Sequence, residues 1–155
     1  MGQLITPKYI IEKLPPFDVD VLAPDVRPWA TAKRHITIKE NALDKDWRGS
    51  GRIFCNPLGR DSHEWLLRCA EYENCIALIY VKTDSKQYQD IVFKHAKAIL
   101  FIKGRPKFCE KDGTALASSP LPCALVAFNQ STSIDLENSG IAGKFLWLKR
   151  YTNLD

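Results

Sequence analysis

The segment 75–81 constrains the fold of this 155-residue chain more than any other part of it. Its sequence, Cys-Ile-Ala-Leu-Ile-Tyr-Val, has no charged residue and no alternation between apolar and polar positions. A short strand that is apolar on both faces is typical of a sheet with helices packed against both of its sides. We therefore expect an open α/β sheet, with the whole chain in a single domain.

Strand and helix patterns alternate along the rest of the chain. Residues 17–22 alternate apolar and acidic side chains, which is the period of a strand. The other expected strands are 35–39, 52–55, 98–102 and 121–128. The expected helices are 8–14, a segment of about twelve residues from Ser62, and 85–95. Thr6 is the expected N-cap of the first helix, with Pro7 as its first residue. A turn is expected at 104–108, and 146–148 is expected to dock on the core.

The composition excludes several classes of protein. A hydrophobic fraction of 45% and a charged fraction of 26% are those of a globular protein. No apolar run approaches the ~20 residues that span a membrane, and the N-terminus lacks a signal-peptide pattern, so we expect a cytoplasmic protein. The five cysteines form no Cys-x-x-Cys pair, so we expect no structural metal. A net charge of +4 is compatible with an anionic partner.

Asn56 and Pro57 follow the apolar residues 53–55 and present two hydrogen-bond acceptors, the Asn56 side-chain oxygen and the Pro57 carbonyl. One interpretation is that both accept from the exocyclic amine of a substrate. Two acceptors on one nitrogen localise its lone pair for attack on an electrophilic methyl group. The other interpretation is that Asn-Pro only ends a strand in a turn, which is a common use of this pair.

Asp18 and Asp20 are two residues apart in an expected strand, so their carboxylates share one face of it. They could bind a ribose diol or the ammonium group of an amino-acid-like cofactor, or form the solvated face of an edge strand. Ligands of open α/β sheets bind at the carboxyl ends of the strands. We therefore expect both aspartates to lie there, together with Asn56 and Pro57.

Basic side chains occur mainly in the expected loops. They include Arg60, Lys103, Arg105 and Lys107. Such side chains could track the phosphates of a nucleic acid, or form an ordinary solvated surface.

Taken in order, the motifs of the chain resemble those of the small Dam-like DNA adenine-N6 methyltransferases typical of bacteriophages and prophages. The resemblance covers about residues 5–145, and it is the ordered set of motifs that is specific. The motifs are Thr6-Pro7, Phe-Asp-Val-Asp at 17–20, Ile-Phe-Cys-Asn-Pro at 53–57, Val-Lys-Thr-Asp-Ser at 81–85, Gly-Arg-Pro-Lys-Phe at 104–108, Asp112-Gly113, and the apolar run 120–128.

The resemblance implies a Rossmann-like methyltransferase sheet, S-adenosylmethionine as cofactor, and adenine in double-stranded DNA as substrate. It implies that Thr6, Pro7, Asp18 and Asp20 line the cofactor site and that Asn56 and Pro57 hold the target amine. The DNA or the base pocket would be met by Arg60, Lys82, Thr83, Lys103, Arg105 and Lys107. The adenine would have to be flipped out of the duplex to reach such a pocket.

The chain departs from the family pattern Asn-Pro-Pro-Tyr, because Leu58 and Gly59 stand where the second proline and the tyrosine would be. The tyrosine stacks on the target base, an interaction worth ~1–3 kcal/mol. Losing ~2 kcal/mol would slow transfer about thirtyfold. The candidates for a substitute ring are Trp65, Tyr80 and His63.

Three hypotheses for the function follow from this departure. The first is an adenine methyltransferase, attenuated by the altered motif. The second is a degenerate methyltransferase fold that binds DNA, cofactor or a protein partner without chemistry. The third is a methyltransferase that acts on another amine, such as N4 of cytosine or a protein amide.

Overall fold

The computed structural model describes residues 4–58 and 62–149. Within them the strands are β1 (Val19–Ala23), β2 (Arg34–Thr37), β3 (Ile53–Cys55), β4 (Cys75–Tyr80), β5 (Ala98–Ile102), β6 (Lys107–Cys109), β7 (Ala115–Ser118), β8 (Cys123–Ala127) and β9 (Gly143–Trp147). Seven of them form one sheet in the order β2-β1-β3-β4-β8-β5-β9, and β6 and β7 form a separate two-stranded ribbon.

The α-helices of the described residues are α1 (Lys8–Glu12), α2 (His63–Tyr72), α3 (Phe93–His95) and α4 (Gln130–Glu137). A π-helical segment, Gln87–Val92, leads directly into α3. Two 3-10 turns, Ile38–Glu40 and Ala42–Asp44, follow β2. No helix in the described ranges is long and apolar enough to cross a membrane.

The strand directions bring several chain segments to one edge of the sheet. The sheet is parallel from β2 through β1 and β3 to β4. Because β8 is antiparallel to both β4 and β5, β5 points the same way as β4. The carboxyl ends of β1 to β5 therefore lie along one edge, which we name the carboxyl edge. The chain leaves β1 for β2 on one side and returns to β3 on the other, so a topological switch point lies between β1 and β3.

Strand β4 is buried on both faces, as its apolar sequence predicts. Ala77 belongs to the hydrophobic cluster that includes Leu66 of α2, on one side of the sheet. Leu78 belongs to the cluster on the other side, which includes Leu136 of α4. Complete burial of a side chain such as Leu78 contributes about 1.5–3 kcal/mol to folding. The expected α/β sheet with helices on both faces is confirmed, and it is Rossmann-like.

Three segments differ from the expectation or refine it. The helix expected at 85–95 begins with the π-helical segment instead of an α-helical turn. The turn expected at 104–108 ends early, because Lys107–Cys109 pairs with Ala115–Ser118. This ribbon escapes a local pattern because its second strand, Ala-Leu-Ala-Ser, lacks the β-branched and aromatic residues typical of strands. The docked element expected at 146–148 corresponds to β9, which pairs with β5.

Arg52 ties the opposite edge of the sheet together, directly before β3. Its Nη2 lies 3.0 Å from Asp135 Oδ2 of α4, and both side chains are largely buried. Its Nη1 donates to the carbonyls of Pro15 at 2.7 Å and Pro16 at 3.0 Å, and its guanidinium lies 4.6 Å from the centre of the Phe17 ring. Arg52 thus joins the start of β3, α4 and the segment before β1 at this edge.

Candidate functional site

Asn56 lies at the carboxyl edge, directly after β3, and two hydrogen bonds fix its side chain. Its Nδ2 donates to Thr6 Oγ1 at 2.9 Å. Its Oδ1 accepts from the backbone N–H of Leu58 at 3.1 Å. An amide oxygen has two lone pairs, so Oδ1 keeps one for a further donor. The carboxamide is therefore held in place and can still accept a hydrogen bond.

Thr6 and Pro7 lie beside Asn56, and Thr6 is only 3% exposed. The expectation that Thr6 caps α1 is wrong. The cap residue is Pro7, and the Thr6 hydroxyl accepts from Asn56 instead. The Thr6 carbonyl in turn accepts from Trp29 Nε1 at 3.0 Å. Because the hydroxyl and the carbonyl of Thr6 both have partners, this buried residue is a fixed support for the Asn56 side chain.

A cavity of about 350 Å³ opens beside the Asn56-Pro57 turn. Its walls come from this turn, from α2, from the end of β4 and from the π-helical segment. The lining residues are Pro57, Leu58, Ser62, Leu66, Ile79, Tyr80, Lys82, Ser85, Gln87 and Tyr88. No described residue donates a hydrogen bond to the Pro57 carbonyl. A cavity of this size is within the range of small-molecule sites.

Of the three candidates for a substitute ring, only Tyr80 belongs to a residue that lines the cavity together with Pro57. Trp65 is buried in the core, where its ring stacks on Trp47 with the centroids 6.5 Å apart. His63 opens α2 and is not among the residues that line the cavity. The Tyr80 side chain packs with Cys123 on the other face of the sheet, and its carbonyl accepts from Tyr88 OH, so none of the three candidate rings is placed at the turn.

Asp20 lies inside the sheet, between His35 of β2 and Phe54 of β3. It is 2% exposed, and its carboxylate accepts from Thr31 Oγ1 at 2.5 Å and from the Leu22 N–H at 3.0 Å. Burial raises the pKa of Asp20 to about 6, since the charged form loses its water, and the two hydrogen bonds offset part of this rise. Because β1 has a neighbour on each side, Asp20 is not on the solvated face of an edge strand.

Asp18 lies at the edge opposite to Asn56, before β1 begins. Its Oδ2 accepts from the Arg52 N–H at 2.8 Å, and its Oδ1 lies 3.5 Å from Lys33 Nζ. The bond from Arg52 holds the pKa of Asp18 below its usual value. The expectation that Asp18 lies at the carboxyl ends is wrong. Residues two apart share a face of a strand, but they are about 7 Å apart along it.

The carboxyl edge also carries the polar residues of two loops. One loop follows β4 and the other follows β5 into the ribbon. The exposed residues that were singled out from the sequence are Lys82, Thr83, Lys103, Arg105 and Lys107. Arg105 is steadied by a bond from its Nη1 to the Pro120 carbonyl at 2.8 Å. Gly59 and Arg60, by contrast, lie outside the described residues.

The ribbon is joined to the Asn56 side chain through the N-terminal segment. Ile5 and Cys109 of β6 form two backbone hydrogen bonds, at 3.4 and 3.2 Å, and Thr6 follows directly. Gly113, in the turn of the ribbon, has a φ of +91°, and a Cβ there would lie 3.3 Å from Pro28. This contact joins segments that are far apart in the chain, so no local pattern could have predicted it.

Two further residues at the carboxyl edge were missed in the sequence. Gln87 lines the cavity, and its place there depends on the path of the π-helical segment. Glu40 ends the first 3-10 turn after β2, is exposed, and accepts from the Thr37 N–H at 3.1 Å. The signal for Glu40 was its spacing, since an acidic residue about 20 positions after the first strand binds a ribose diol in dinucleotide-binding folds. No cluster of metal-ligating side chains occurs in residues 4–58 and 62–149.

The comparison with protein families gives one clear finding. The family model described as DNA N-6-adenine-methyltransferase (Dam) matches residues 4–139. The matched range includes the carboxyl edge, the cavity and the ribbon. No curated protein and no solved structure matches the chain.

We expect the Asp20 carboxyl to make the fold less stable as the pH rises. Its pKa is raised in the folded chain, from 3.8 to about 6, so its stabilising effect is fully present below about pH 4 and is lost as the pH rises through about 6. The loss is about 3 kcal/mol at 1.36 kcal/mol per pKa unit. Asp20→Asn removes this titration and keeps a hydrogen-bonding side chain.

Urea unfolding at pH 4 and pH 7 measures the effect. Between these pH values, the free energy of unfolding of Asp20→Asn should rise by about 2 kcal/mol relative to the unaltered chain. A difference that does not change with pH would contradict a buried carboxyl with a raised pKa.

Proposed function

Because the chain belongs to the DNA N-6-adenine-methyltransferase (Dam) family, we propose that it transfers a methyl group from S-adenosylmethionine to N6 of an adenine in double-stranded DNA. The observation that carries the proposal is the Asn56-Pro57 turn. The Asn56 carboxamide is fixed by Thr6, and the Pro57 carbonyl has no donor among the described residues. These two acceptors stand at the carboxyl edge beside a cavity.

In the proposed mechanism, the N6 amine donates one hydrogen bond to Asn56 Oδ1 and one to the Pro57 carbonyl. This arrangement draws the nitrogen toward a tetrahedral geometry and directs its lone pair away from the ring. The chain contributes position and polarisation, which can supply several kcal/mol of the lowering of the barrier. Thr6 acts as a positioning residue, since it holds the Asn56 carboxamide in the orientation that presents Oδ1.

The residues around the switch point have the chemistry to hold the cofactor. The exposed carboxylate of Glu40 can accept from a ribose diol, and Thr6 and Pro7 form a wall next to Asn56. Asp20 lies beneath them in the sheet, whereas Asp18 is left out because it lies at the opposite edge. When bound there, S-adenosylmethionine supplies the electrophilic methyl group.

The cavity beside Pro57 is the proposed pocket for the flipped adenine. It has a volume suited to a small planar ligand, and Tyr80 at the end of β4 is one of its lining residues. Its other walls are largely apolar, with Leu66 and Ile79 among them, as expected of a pocket that receives a base.

The exposed residues of the two loops are proposed to contact the DNA backbone. Lys82 and Thr83 lie in the loop after β4, and the other basic residues lie in the segment that leads from β5 into the ribbon. These other residues are Lys103, Arg105 and Lys107. Contacts with phosphates orient the duplex over the carboxyl edge and make binding depend on salt.

Leu58 gives the proposed activity a physical reason to be attenuated. The family pattern has proline at this position, and proline has no backbone N–H. In this chain the Leu58 N–H donates to Asn56 Oδ1 and so occupies one of its two lone pairs. The acceptor offered to the target amine is therefore weaker and is restricted to one direction.

The Asn56→Ala variant tests the proposed activity. We expect methyl transfer from labelled S-adenosylmethionine to unmethylated DNA to fall by at least a hundredfold, as when a catalytic polar contact is removed. Asn74→Ala is the matched control, because Asn74 lies at the opposite edge, directly before β4. It should retain the unaltered rate.

Two results would contradict this proposal. One is an unaltered chain that transfers no label above Asn56→Ala at high enzyme concentration. If that chain still binds DNA in a titration, it is a binding module of this fold and not an enzyme. The other is an Asn56→Ala variant that keeps its activity within about threefold.

Leu58→Pro tests the proposed cause of the attenuation. Removing the N–H frees a lone pair on Asn56 Oδ1, so we expect the turnover number to rise about three- to tenfold, for a gain of about 1 kcal/mol. Leu58→Ala is the control, because it also loses the buried side chain but keeps the N–H. Equal turnover numbers for the two variants would mean that this hydrogen bond does not limit the reaction.

A further inference from the structure

The cavity beside Pro57 holds polar side chains of two kinds. Those of the first kind are already engaged, since Ser85 Oγ donates to the Lys82 carbonyl at 2.6 Å and Tyr88 OH donates to the Tyr80 carbonyl at 2.8 Å. Those of the second kind form no hydrogen bond within residues 4–58 and 62–149. They are Ser62, Lys82 and Gln87. A half-buried polar group without a partner next to a cavity is a group that a ligand can satisfy.

Gln87 differs from the other two in its chemistry. Lys82 carries an exposed cation and Ser62 a single rotatable hydroxyl, whereas the Gln87 carboxamide presents two N–H donors and an oxygen in one plane. Gln87 is also the first residue of the π-helical segment, a type of helix that is frequent at functional sites. Gln89 provides the contrast, since it lies outside the cavity lining and its Nε2 donates to the Thr83 carbonyl at 2.8 Å.

We infer that Gln87 is a specificity-determining residue that donates a hydrogen bond from its carboxamide to N7 of the flipped adenine. This inference rests on the proposed function, which places N6 of the base against Asn56 and Pro57. N7 lies next to N6 on the same edge of adenine, and a glutamine side chain is a usual partner of that edge. Cytosine has a C–H in the corresponding position beside its amine, so this contact selects adenine over cytosine.

DNA that lacks the N7 acceptor tests the contact without knowledge of the target sequence. The same duplex is amplified with deoxyadenosine triphosphate or with its 7-deaza analogue, which keeps base pairing but replaces N7 by a C–H. The rate of label transfer from S-adenosylmethionine is then measured at limiting DNA. The proteins compared are the unaltered chain, Gln87→Ala, the isosteric Gln87→Glu, which has no N–H donor, and the control Gln89→Ala.

On ordinary DNA we expect both Gln87 variants to lose about ten- to hundredfold in kcat/KM, the usual discrimination of a good base contact. When 7-deaza DNA replaces ordinary DNA, kcat/KM of the unaltered chain and of Gln89→Ala should fall by a similar factor. The kcat/KM of the Gln87 variants, which is already reduced, should fall little further. The effects are then coupled, as expected of two groups in one hydrogen bond. Melting temperatures near that of the unaltered chain show that all the variants are folded.

Several results would overturn the inference. One is a Gln87→Ala variant with unaltered kcat/KM on ordinary DNA. Another is a 7-deaza penalty equally large in the unaltered chain and in Gln87→Ala, since the donor and N7 would then act independently. Either result leaves the proposed function intact if Asn56→Ala still abolishes transfer. An unaltered chain that transfers no methyl group to ordinary DNA would overturn the proposed function and this inference together.

Discussion

The hydrogen bond from Asn56 Nδ2 to Thr6 Oγ1 is the contact on which the site depends. It joins residues 50 positions apart, at a length of 2.9 Å, and it fixes which atom of the carboxamide faces outward. The Thr6 segment is held in turn by Trp29 and by the pairing of Ile5 with Cys109. The N-terminal segment, the end of β3 and the ribbon are therefore one connected support. A polar contact of this kind is worth about 1 kcal/mol in stability, but its value here is the orientation that it imposes.

The altered turn has two physical consequences that act on different parts of the site. Replacing a proline by Leu58 adds an N–H donor, which competes for the oxygen of Asn56. Replacing a tyrosine by Gly59 removes a ring from the turn, and the Tyr80 side chain packs with Cys123 on the other face of the sheet. The first consequence concerns the polarity of the acceptor, and the second concerns the stacking of the base. The two effects are separable, because a change at one position does not repair the other.

Much of the fold could be predicted from local sequence, because each pattern reports the environment of its own residues. The apolar segment that became β4 and the Asn56-Pro57 turn are of this kind. The predictions that were wrong depended on where a strand or helix begins, or on hydrogen-bond partners far away in the sequence. The spacing of Asp18 and Asp20 shows that they share a face, but it does not show where β1 begins. It therefore could not show that Asp18 precedes the strand whereas Asp20 lies within it. Thr6 looked like a helix cap because its distant partner is invisible in a local pattern.

Identification of the methylated nucleoside shows which amine the Asn56-Pro57 site holds. After incubation of unmethylated DNA with the chain and S-adenosylmethionine, the DNA is digested and the nucleosides are measured by mass spectrometry. The proposed placement of the target amine between Asn56 Oδ1 and the Pro57 carbonyl, with N7 of the base against Gln87, predicts N6-methyldeoxyadenosine as the only methylated product above background. N4-methyldeoxycytidine in its place, or no methylated nucleoside, would contradict this account of the site.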